Sequence, residues 1–264
     1  MRSPIRRLLF MIALTAFARV ALAGVRFDFE TSVTGSRPYS YSGRISVDTE
    51  DSRMDISSGT HPLFNPNFSV ITRRDGSQLL IIDHAHKQYF LRNTEQMRGH
   101  LSTAGGIGKT TASEPVIRVA HEPGGSIDGT ETEKHVLHAE YQLTMLVEGE
   151  SLKAAVIMDV ASWVTGRAPR HALPWGLHFA AKTGFPAVDR QIARNLSMGT
   201  PLKEIVTVSR RIEGGPSITE TITTTISHLS ETGISPRIFD IPAGYILREP
   251  TFEFEDVTGG NPRQ

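Results

Sequence analysis

The amino-acid sequence predicts a mostly β protein, built on a broad, curved antiparallel sheet with a few helices. Three observations predict this class. Polar and apolar residues alternate with a period of two in one segment after another, which is the pattern of half-buried strands. Turn-forming residues separate these segments, and Asp75-Gly76 is the clearest hairpin turn among them. The longest hairpin, from Val136 to Val164, has arms that extend about 40 Å at ~3.3 Å per residue, so the sheet must be broad.

The strands predicted before this hairpin are short and follow one another closely. In the first of them, at 25–30, apolar and charged residues alternate strictly, which predicts one buried and one wet face. A short helix is expected at 94–101, followed by a glycine-rich loop at 104–108, and Pro123-Gly124-Gly125 predicts a turn. The predicted strands are 25–30, 39–48, 53–57, 68–73, 78–83, 88–92 and 115–121.

The longest hairpin turns at Glu148-Gly149-Glu150 and places apolar residues at every second position of both arms. This alternation predicts that one face of the hairpin is buried and the other is in contact with water. No catalytic motif lies on either arm. The apolar positions are Leu137, Ala139, Tyr141, Leu143, Met145, Val147, Leu152, Ala154, Val156, Met158, Val160 and Val164.

A second hairpin is predicted with arms at 202–212 and 217–228. Its alternation is less strict, because apolar residues share a face with Glu204 and Arg210 on the first arm and with Glu220 and Thr224 on the second. We therefore expect this part of the sheet to lie nearer to solvent. Between the two hairpins, prolines punctuate a stretch in which helices are expected at 175–181 and 187–196.

The first 23 residues have the layout of a secretory signal peptide. Three arginines precede an apolar run at 8–18, and Ala21-Leu22-Ala23 supplies the small residues that a signal peptidase requires. The apolar run is shorter than the ~20 residues needed to span a bilayer. Cleavage after Ala23 and a periplasmic or secreted location are therefore predicted, while Arg19 leaves open an uncleaved, membrane-tethered start.

The predicted mature chain has little net charge and no cysteine. Removing residues 1–23 takes away four arginines and no acidic residue. The mature chain then has 24 basic and 28 acidic residues, and its formal charge is −4. This balance argues against a nucleic-acid partner. Without cysteine the chain has neither disulfides nor a lipid-modified N-terminal cysteine. We expect a single β domain at 24–247, followed by a polar tail at 248–264.

Two loops resemble known functional motifs, but each lacks a glycine that its motif requires. The segment from Gly105 to Thr111 resembles a phosphate-binding loop, but Thr103 stands where that motif requires glycine. The segment from Gly124 to Asp128 lacks the final glycine of a serine-nucleophile elbow. The sequence therefore predicts no enzyme activity from a local motif.

Two pairs of histidines have spacings that metal ligands use. His84 and His86 are two apart, and His135 and His138 are three apart, so they could bind a metal together if their two segments met. No cysteine accompanies them. Exposed histidines in turns are the expected arrangement, and the sequence predicts no metal site and no cofactor.

Five short motifs are spread along the chain: Arg53-Met54-Asp55, the turn from Ile82-Asp83 to Lys87-Gln88-Tyr89, Trp163-Val164, Gly199-Thr200-Pro201-Leu202, and the closing Phe239-Asp240-Ile241-Pro242-Ala243-Gly244-Tyr245. Together they resemble uncharacterised periplasmic families related to the LolA/LppX-like, lipoprotein-carrier fold. The resemblance covers most of residues 25–245. It implies an unclosed half-barrel, in which helices cover the concave face of a curved antiparallel sheet and leave a hydrophobic cavity. In the better-known relatives this cavity carries acyl chains.

The resemblance and the apolar hairpin face predict binding of a hydrophobic or amphiphilic ligand, such as a lipid or lipoprotein acyl chain, without covalent chemistry. Two alternatives remain open: an envelope protein that binds another protein and has a filled core, and a hydrolase with a non-local triad. No transmembrane segment is expected in the mature chain. The expected ligand-binding residues are Tyr141, Leu143, Met145, Val156, Met158, Trp175 and Phe179.

Overall fold

A computed structural model describes residues 23–36, 38–48, 51–60, 65–73, 78–93, 110–147, 150–166, 185, 188–191 and 200–249. Within these residues the chain forms thirteen strands of one sheet and a short 3-10 helix at Pro236–Phe239. The strands are β1 (Ala23–Thr34), β2 (Tyr39–Val47), β3 (Ser52–Gly59), β4 (Phe68–Thr72), β5 (Gln78–Asp83), β6 (Gln88–Asn93), β7 (Thr110–Ala112), β8 (Val116–Ile127), β9 (Thr130–Val147), β10 (Glu150–Thr165), β11 (Thr200–Ile212), β12 (Ser217–Gly233) and β13 (Ile246–Leu247).

The sheet is a large unclosed meander whose strand order is β13-β6-β5-β4-β3-β2-β1-β12-β11-β10-β9-β7. Pairing is antiparallel except between β13 and β6, which run parallel. At one end, β7 and β8 pair with different stretches of β9. Pairing of β1 with β12 joins the two halves of the chain. The predicted mostly β class with a broad antiparallel sheet is thus confirmed.

The longest hairpin forms as its alternation predicts. Strands β9 and β10 pair without interruption from Val147 and Glu150 at the turn to Glu133 and Val164 at the far end. Along β10 every second residue from Ala154 to Val164 is buried. Burying a side chain such as Val156 stabilises the fold by roughly 1.5–3 kcal/mol, so a single buried face of this length makes a large contribution.

The two faces of the sheet differ. The face that carries Phe27, Ile45, Leu137 and Val156, here called the core face, holds two clusters of buried apolar residues. The first cluster lies on β1 to β5 with Leu202 and Ile226 and is named the β1–β5 cluster. The second, named the hairpin cluster, consists of Leu137, Ala139, Tyr141, Val156, Met158, Val160, Val188 and Val206.

The opposite face, here called the outer face, is mostly polar but is covered at one end by the segment that follows β12. Phe239 packs there with Ile71, Leu80 and Ile82. The Arg53 Nη1 group donates a hydrogen bond to the carbonyl of Ile238 at 2.6 Å. Strands β4 and β5 are therefore buried on both faces, which explains their nearly continuous apolar sequence.

One expectation about this sheet is wrong. Pro123-Gly124-Gly125 does not form a turn but continues β8, with a β-bulge that shifts the register between Pro123 and Gly125. A Cβ on Gly124 would lie 2.4 Å from the Thr132 hydroxyl oxygen, so the close approach of β9 requires glycine there. The second hairpin lies nearer to solvent, as expected, since most of β12 is exposed or half-buried, but Glu204 and Thr224 are buried.

The predicted helices fall largely outside the described residues. Those at 94–101 and 175–181 lie outside them entirely, and of the helix at 187–196 only 188–191 is described, where it is helical. In this turn the Asp189 amide donates to the carbonyl of Phe185 at 2.9 Å. Val188 is fully buried in the hairpin cluster. The covering of the core face by helices stays a prediction.

Candidate functional site

A row of buried polar residues crosses the core face over five neighbouring strands. Its members are His135 on β9, Ser162 on β10, Glu204 on β11, Thr224 on β12 and Thr31 on β1. The register places each directly opposite the next, from His135 to Thr31. None of the five is more than 7% exposed. We call this set the polar row.

The polar row separates the two apolar clusters of the core face. On β11, Glu204 stands between Leu202 of the β1–β5 cluster and Val206 of the hairpin cluster. On β12, Thr224 likewise stands between Ile222 and Ile226. Because strand residues two apart share a face, β1, β10, β11 and β12 each place one polar group between two apolar ones. The polar row is therefore a regular part of the core, produced by the alternation of side chains along the strands.

Glu204 is the ionisable carboxyl of this row. The Ser162 hydroxyl donates to Glu204 Oε2 at 2.8 Å, while Oε1 has no hydrogen-bond partner. Burial raises the pKa of Glu204 to about 7, against the smaller opposing effect of the Ser162 hydrogen bond. The carboxyl can thus gain or lose a proton near neutral pH. Beyond it, the hydroxyls of Thr31 and Thr224 lie 3.0 Å apart and bond to each other.

Several polar atoms in and beside the row have no hydrogen-bond partner. They are both ring nitrogens of His135, the hydroxyl of Thr200 and Oε1 of Glu204. A buried polar group left unpaired costs about 1–3 kcal/mol, so four such atoms represent a substantial unfavourable term. A void of about 10 Å³ beside Glu204 has room for about one water molecule. Unpaired buried polar atoms of this kind usually have a water molecule, an ion or a ligand as partner.

The apolar side of the core face becomes open toward the turns of the two long hairpins. Leu152, Ile212 and Ile218 are 38%, 37% and 44% exposed there, although they share a face with the buried hairpin cluster. On the same face Leu143, Met145, Val208 and Ile222 are half-buried, and two charged residues, the half-buried Glu220 and the exposed Arg210, lie among them. We call the apolar members of this set the apolar patch: Leu143, Met145, Leu152, Val208, Ile212, Ile218 and Ile222.

The predicted ligand-binding residues divide into three groups. Tyr141, Val156 and Met158 are buried in the hairpin cluster, and the Tyr141 ring packs against Phe185 with 6.5 Å between ring centroids. Leu143 and Met145 are half-buried members of the apolar patch. Trp175 and Phe179 lie outside the described residues. Only Leu143 and Met145 of the described five therefore keep apolar surface available to a ligand.

An open cleft of about 750 Å³ lies mainly on the outer face, and most of the residues that line it are polar or charged. Arg44 Nε donates to Asp28 Oδ1 at 2.8 Å within it. This hydrogen bond, more than any other interaction, lowers the pKa of Asp28. The cleft does not provide the apolar lining that an acyl chain requires.

The Ser–His pair on the outer face does not form the catalytic triad that the hydrolase alternative requires. His84 Nε2 lies 2.7 Å from the hydroxyl oxygen of Ser69, which is 1% exposed. The Ser69 hydroxyl donates to Asp55 at 2.5 Å, so His84 must donate to Ser69, and its Nδ1 accepts from the Tyr245 hydroxyl at 2.9 Å. A triad needs the histidine to accept the serine proton and to donate to the acid. This pair instead holds the chain after β12 against β4.

The two predicted histidine pairs are not brought together. His135 lies on the core face, whereas His138 lies on the outer face between Asp159 and Glu140, at 2.7 and 2.8 Å. Those two hydrogen bonds raise the pKa of His138. His86 bonds Asp83 at 2.7 Å instead of joining His84. The histidine nearest to His135 is His121 on β8, which sequence spacing did not indicate.

No family model and no curated protein matches this chain. Several solved structures are similar, among them a LolA superfamily protein from Nitrosomonas europaea, at 12% identity and a TM-score of 0.30, covering 83% of this chain and 90% of that one. A domain of Vibrio parahaemolyticus designated an outer membrane lipoprotein-sorting protein has 9% identity, a TM-score of 0.31 and coverages of 87% and 95%. A DUF1329 family protein from Desulfovibrio piger has 8% identity, a TM-score of 0.31 and coverages of 90% and 98%.

These structures include the LolA-like group that the sequence motifs resemble. Because their TM-scores are below 0.5, the ligands and activities of these proteins are not assigned to this chain. Among the residues that the structure describes, no helix has both the length and the apolar character to cross a membrane.

Proposed function

We propose that this protein binds an amphiphilic ligand, such as a lipid or a lipoprotein acyl chain, with the hydrocarbon lying along the apolar patch and no covalent chemistry. The observation that carries the proposal is the apolar patch itself. It continues the hairpin cluster on one sheet face, yet its outermost members Leu152, Ile212 and Ile218 remain more than a third exposed. Exposed apolar surface that continues a buried cluster is typical of a binding site.

The composition of the patch suits a hydrocarbon chain. All seven members are aliphatic or thioether side chains, and the flexible Met145 can adjust to chains of different shape. Each buried CH₂ contributes about 0.8 kcal/mol, so a fourteen-carbon chain gains up to about 11 kcal/mol. That gain is of the size needed to offset the ~4–15 kcal/mol lost when two molecules associate. Affinity should then rise about fourfold for each added CH₂.

An exposed cation beside the apolar patch favours an amphiphile over a plain hydrocarbon. Arg210 lies between Val208 and Ile212 on β11, opposite Val156, and is exposed. An arginine can bind a carboxylate or phosphate through two parallel hydrogen bonds. We therefore place the anionic headgroup of the ligand at Arg210 and its chain over Leu152 and Met145.

The location of the protein in the cell is part of the same proposal. The signal-like segment at 1–23 supports export, with cleavage after Ala23 and a role in the periplasm or outside the cell. The helices predicted at 175–181 and 187–196 would cover the ligand. Transport of an acyl chain through an aqueous compartment requires a cover of this kind, because exposed hydrocarbon is unfavourable in water.

The test is a titration of the delipidated full chain with fatty acids of 8 to 18 carbons, with Leu152→Asp as the test variant. We expect affinity to rise with chain length in the wild type and to fall at least tenfold in Leu152→Asp. Ile157→Asp is the matched control, because Ile157 lies on the same strand with a similar exposure of 41% but on the outer face. Absence of length-dependent binding, or equal losses in both variants, would overturn the proposal and favour an envelope protein-interaction module.

A further inference from the structure

Three side chains of types that can bind a metal ion meet at the open edge of the core face, at the end of the polar row. The register of β8 and β9 places His121 directly opposite His135, and Glu133 lies two residues before His135 on the same face. One ligand atom from each of the three residues lies within 4.8 Å of the others. The two imidazole rings are 4.3 Å apart, edge to face.

His135 is the unusual member, because it is 1% exposed and neither ring nitrogen has a hydrogen-bond partner. Its Nε2 lies 3.1 Å from Glu133 Oε2, but the ring is not oriented to donate to that oxygen. Close approach without hydrogen-bond geometry is what two ligands of one ion show. A buried imidazole ordinarily has at least one partner, so the local packing leaves its binding capacity unused.

We propose that His121, Glu133 and His135 form a binding site for a zinc ion. Two ligand atoms of a tetrahedral zinc ion, each ~2.0–2.1 Å from the metal, lie about 3.3 Å apart. Each oxygen of the Glu133 carboxylate has an imidazole nitrogen near that spacing: His135 Nε2 lies 3.1 Å from Oε2, and His121 Nδ1 lies 3.6 Å from Oε1. Two imidazoles and one carboxylate are a ligand set that zinc accepts.

The position of the site in the sheet makes it reachable. Strand β8 pairs only with β9 among the described strands, and the side chains of His121 and Glu133 are 44% and 58% exposed. The nearest lysine on β9, Lys134, lies on the outer face, where it is paired with Glu122 at 2.9 Å and is not directed at the site. A bound ion would join β8 to β9 next to the bulge of β8. Three protein ligands leave a fourth position for water or for a ligand group.

The site can be tested with Zn²⁺ alone on the full, untagged chain after removal of metals by a chelator. Calorimetric titration should give one Zn²⁺ per chain in the wild type. The exposed ligands are the variants of choice, since His135→Ala could unfold the core. We expect His121→Ala and Glu133→Gln each to weaken binding at least about tenfold while both fold normally by circular dichroism. His138→Ala is the matched control, because this histidine is on the neighbouring outer face and should leave binding unchanged.

Two further readouts separate a built site from adventitious binding. Co²⁺ in place of Zn²⁺ should give the visible absorption bands of a tetrahedral centre, and these should be lost in His121→Ala. Zn²⁺ should raise the melting temperature of the wild type but not of Glu133→Gln. The inference is overturned if the wild type binds no stoichiometric Zn²⁺, if His121→Ala and Glu133→Gln bind as the wild type does, or if His138→Ala loses binding equally.

Discussion

Glu204 should make the stability of this protein depend on pH in a direction opposite to that of most carboxylates. Its pKa is about 7 in the folded protein, compared with 4.5 in the unfolded chain. Between these values the folded state binds the proton and the unfolded state does not. The free energy of unfolding therefore falls as pH rises from about 4.5 to about 7, and is constant above that.

The size of the effect follows from the shift in pKa. One pKa unit corresponds to about 1.4 kcal/mol, so the shift of Glu204 corresponds to a loss on the order of 3 kcal/mol between pH 4.5 and pH 8. That is a large fraction of the ~5–15 kcal/mol that stabilises a typical domain. Asp28 and other carboxyls with lowered pKa act in the opposite direction, so the effect must be isolated by a variant.

The assay is chemical denaturation of the wild type and Glu204→Gln at pH 5, 6, 7 and 8. The glutamine keeps the shape of the side chain and an acceptor for the Ser162 hydroxyl but cannot ionise. We expect Glu204→Gln to gain on the order of 3 kcal/mol relative to the wild type between pH 5 and pH 8. Glu150→Gln, at an exposed carboxyl at the start of β10, should show no such gain. Parallel stability profiles for Glu204→Gln and the wild type would refute the account of a buried, protonatable carboxyl.

Two other predictions concern the core and the N-terminus. Val156→Asp should unfold the protein or prevent its accumulation, because burying an unpaired carboxylate in the hairpin cluster costs several kcal/mol. Ile157→Asp, at an exposed position, should melt within a few degrees of the wild type. Equal melting temperatures of the two variants would mean that the wrong face is assigned to the core. Mass spectrometry of the exported protein should find Gly24 as the first residue, and recovery of an intact Met1 in the membrane fraction would show that the segment anchors the chain.

The sheet could be predicted from the sequence because alternation is a local property. Along β9 and β10 the period of two alone identified the buried face, and Tyr141, Val156 and Met158 lie in it. The class of the protein follows from the same signal. The limit of this reasoning appears at Pro123-Gly124-Gly125, where the same residues are compatible with a turn or a bulge, and pairing with Thr132 decides for the bulge.

The polar row could not be predicted because it depends on how strands align sideways. The sequence showed Glu204 and Thr224 on apolar faces, but a single strand pattern does not reveal that the two residues are opposite each other. For each of these two residues considered alone, a side chain exposed to solvent was the natural expectation. Only the register across five strands shows that they form one buried line.

The histidine cluster was missed for a different reason, and part of its signal was available. Strand residues three apart, such as His135 and His138, point to opposite faces, whereas residues two apart, such as Glu133 and His135, share one. The predicted hairpin began at Val136, however, whereas β9 begins at Thr130, so Glu133 and His135 were not assigned to a strand. The third member, His121, comes from β8, and its position depends on a pairing that no local pattern specifies.

The proposal that a ligand lies on the apolar patch is tested most directly by photochemical cross-linking with a diazirine-bearing fatty acid, followed by mass spectrometry of the labelled peptides. We predict labels on Met145, Leu152 and Ile218 of the core face, reduced by excess unlabelled fatty acid. Labels confined to exposed apolar residues of the outer face, such as Leu146 and Ile157, or labelling that excess fatty acid does not reduce, would contradict the proposed site.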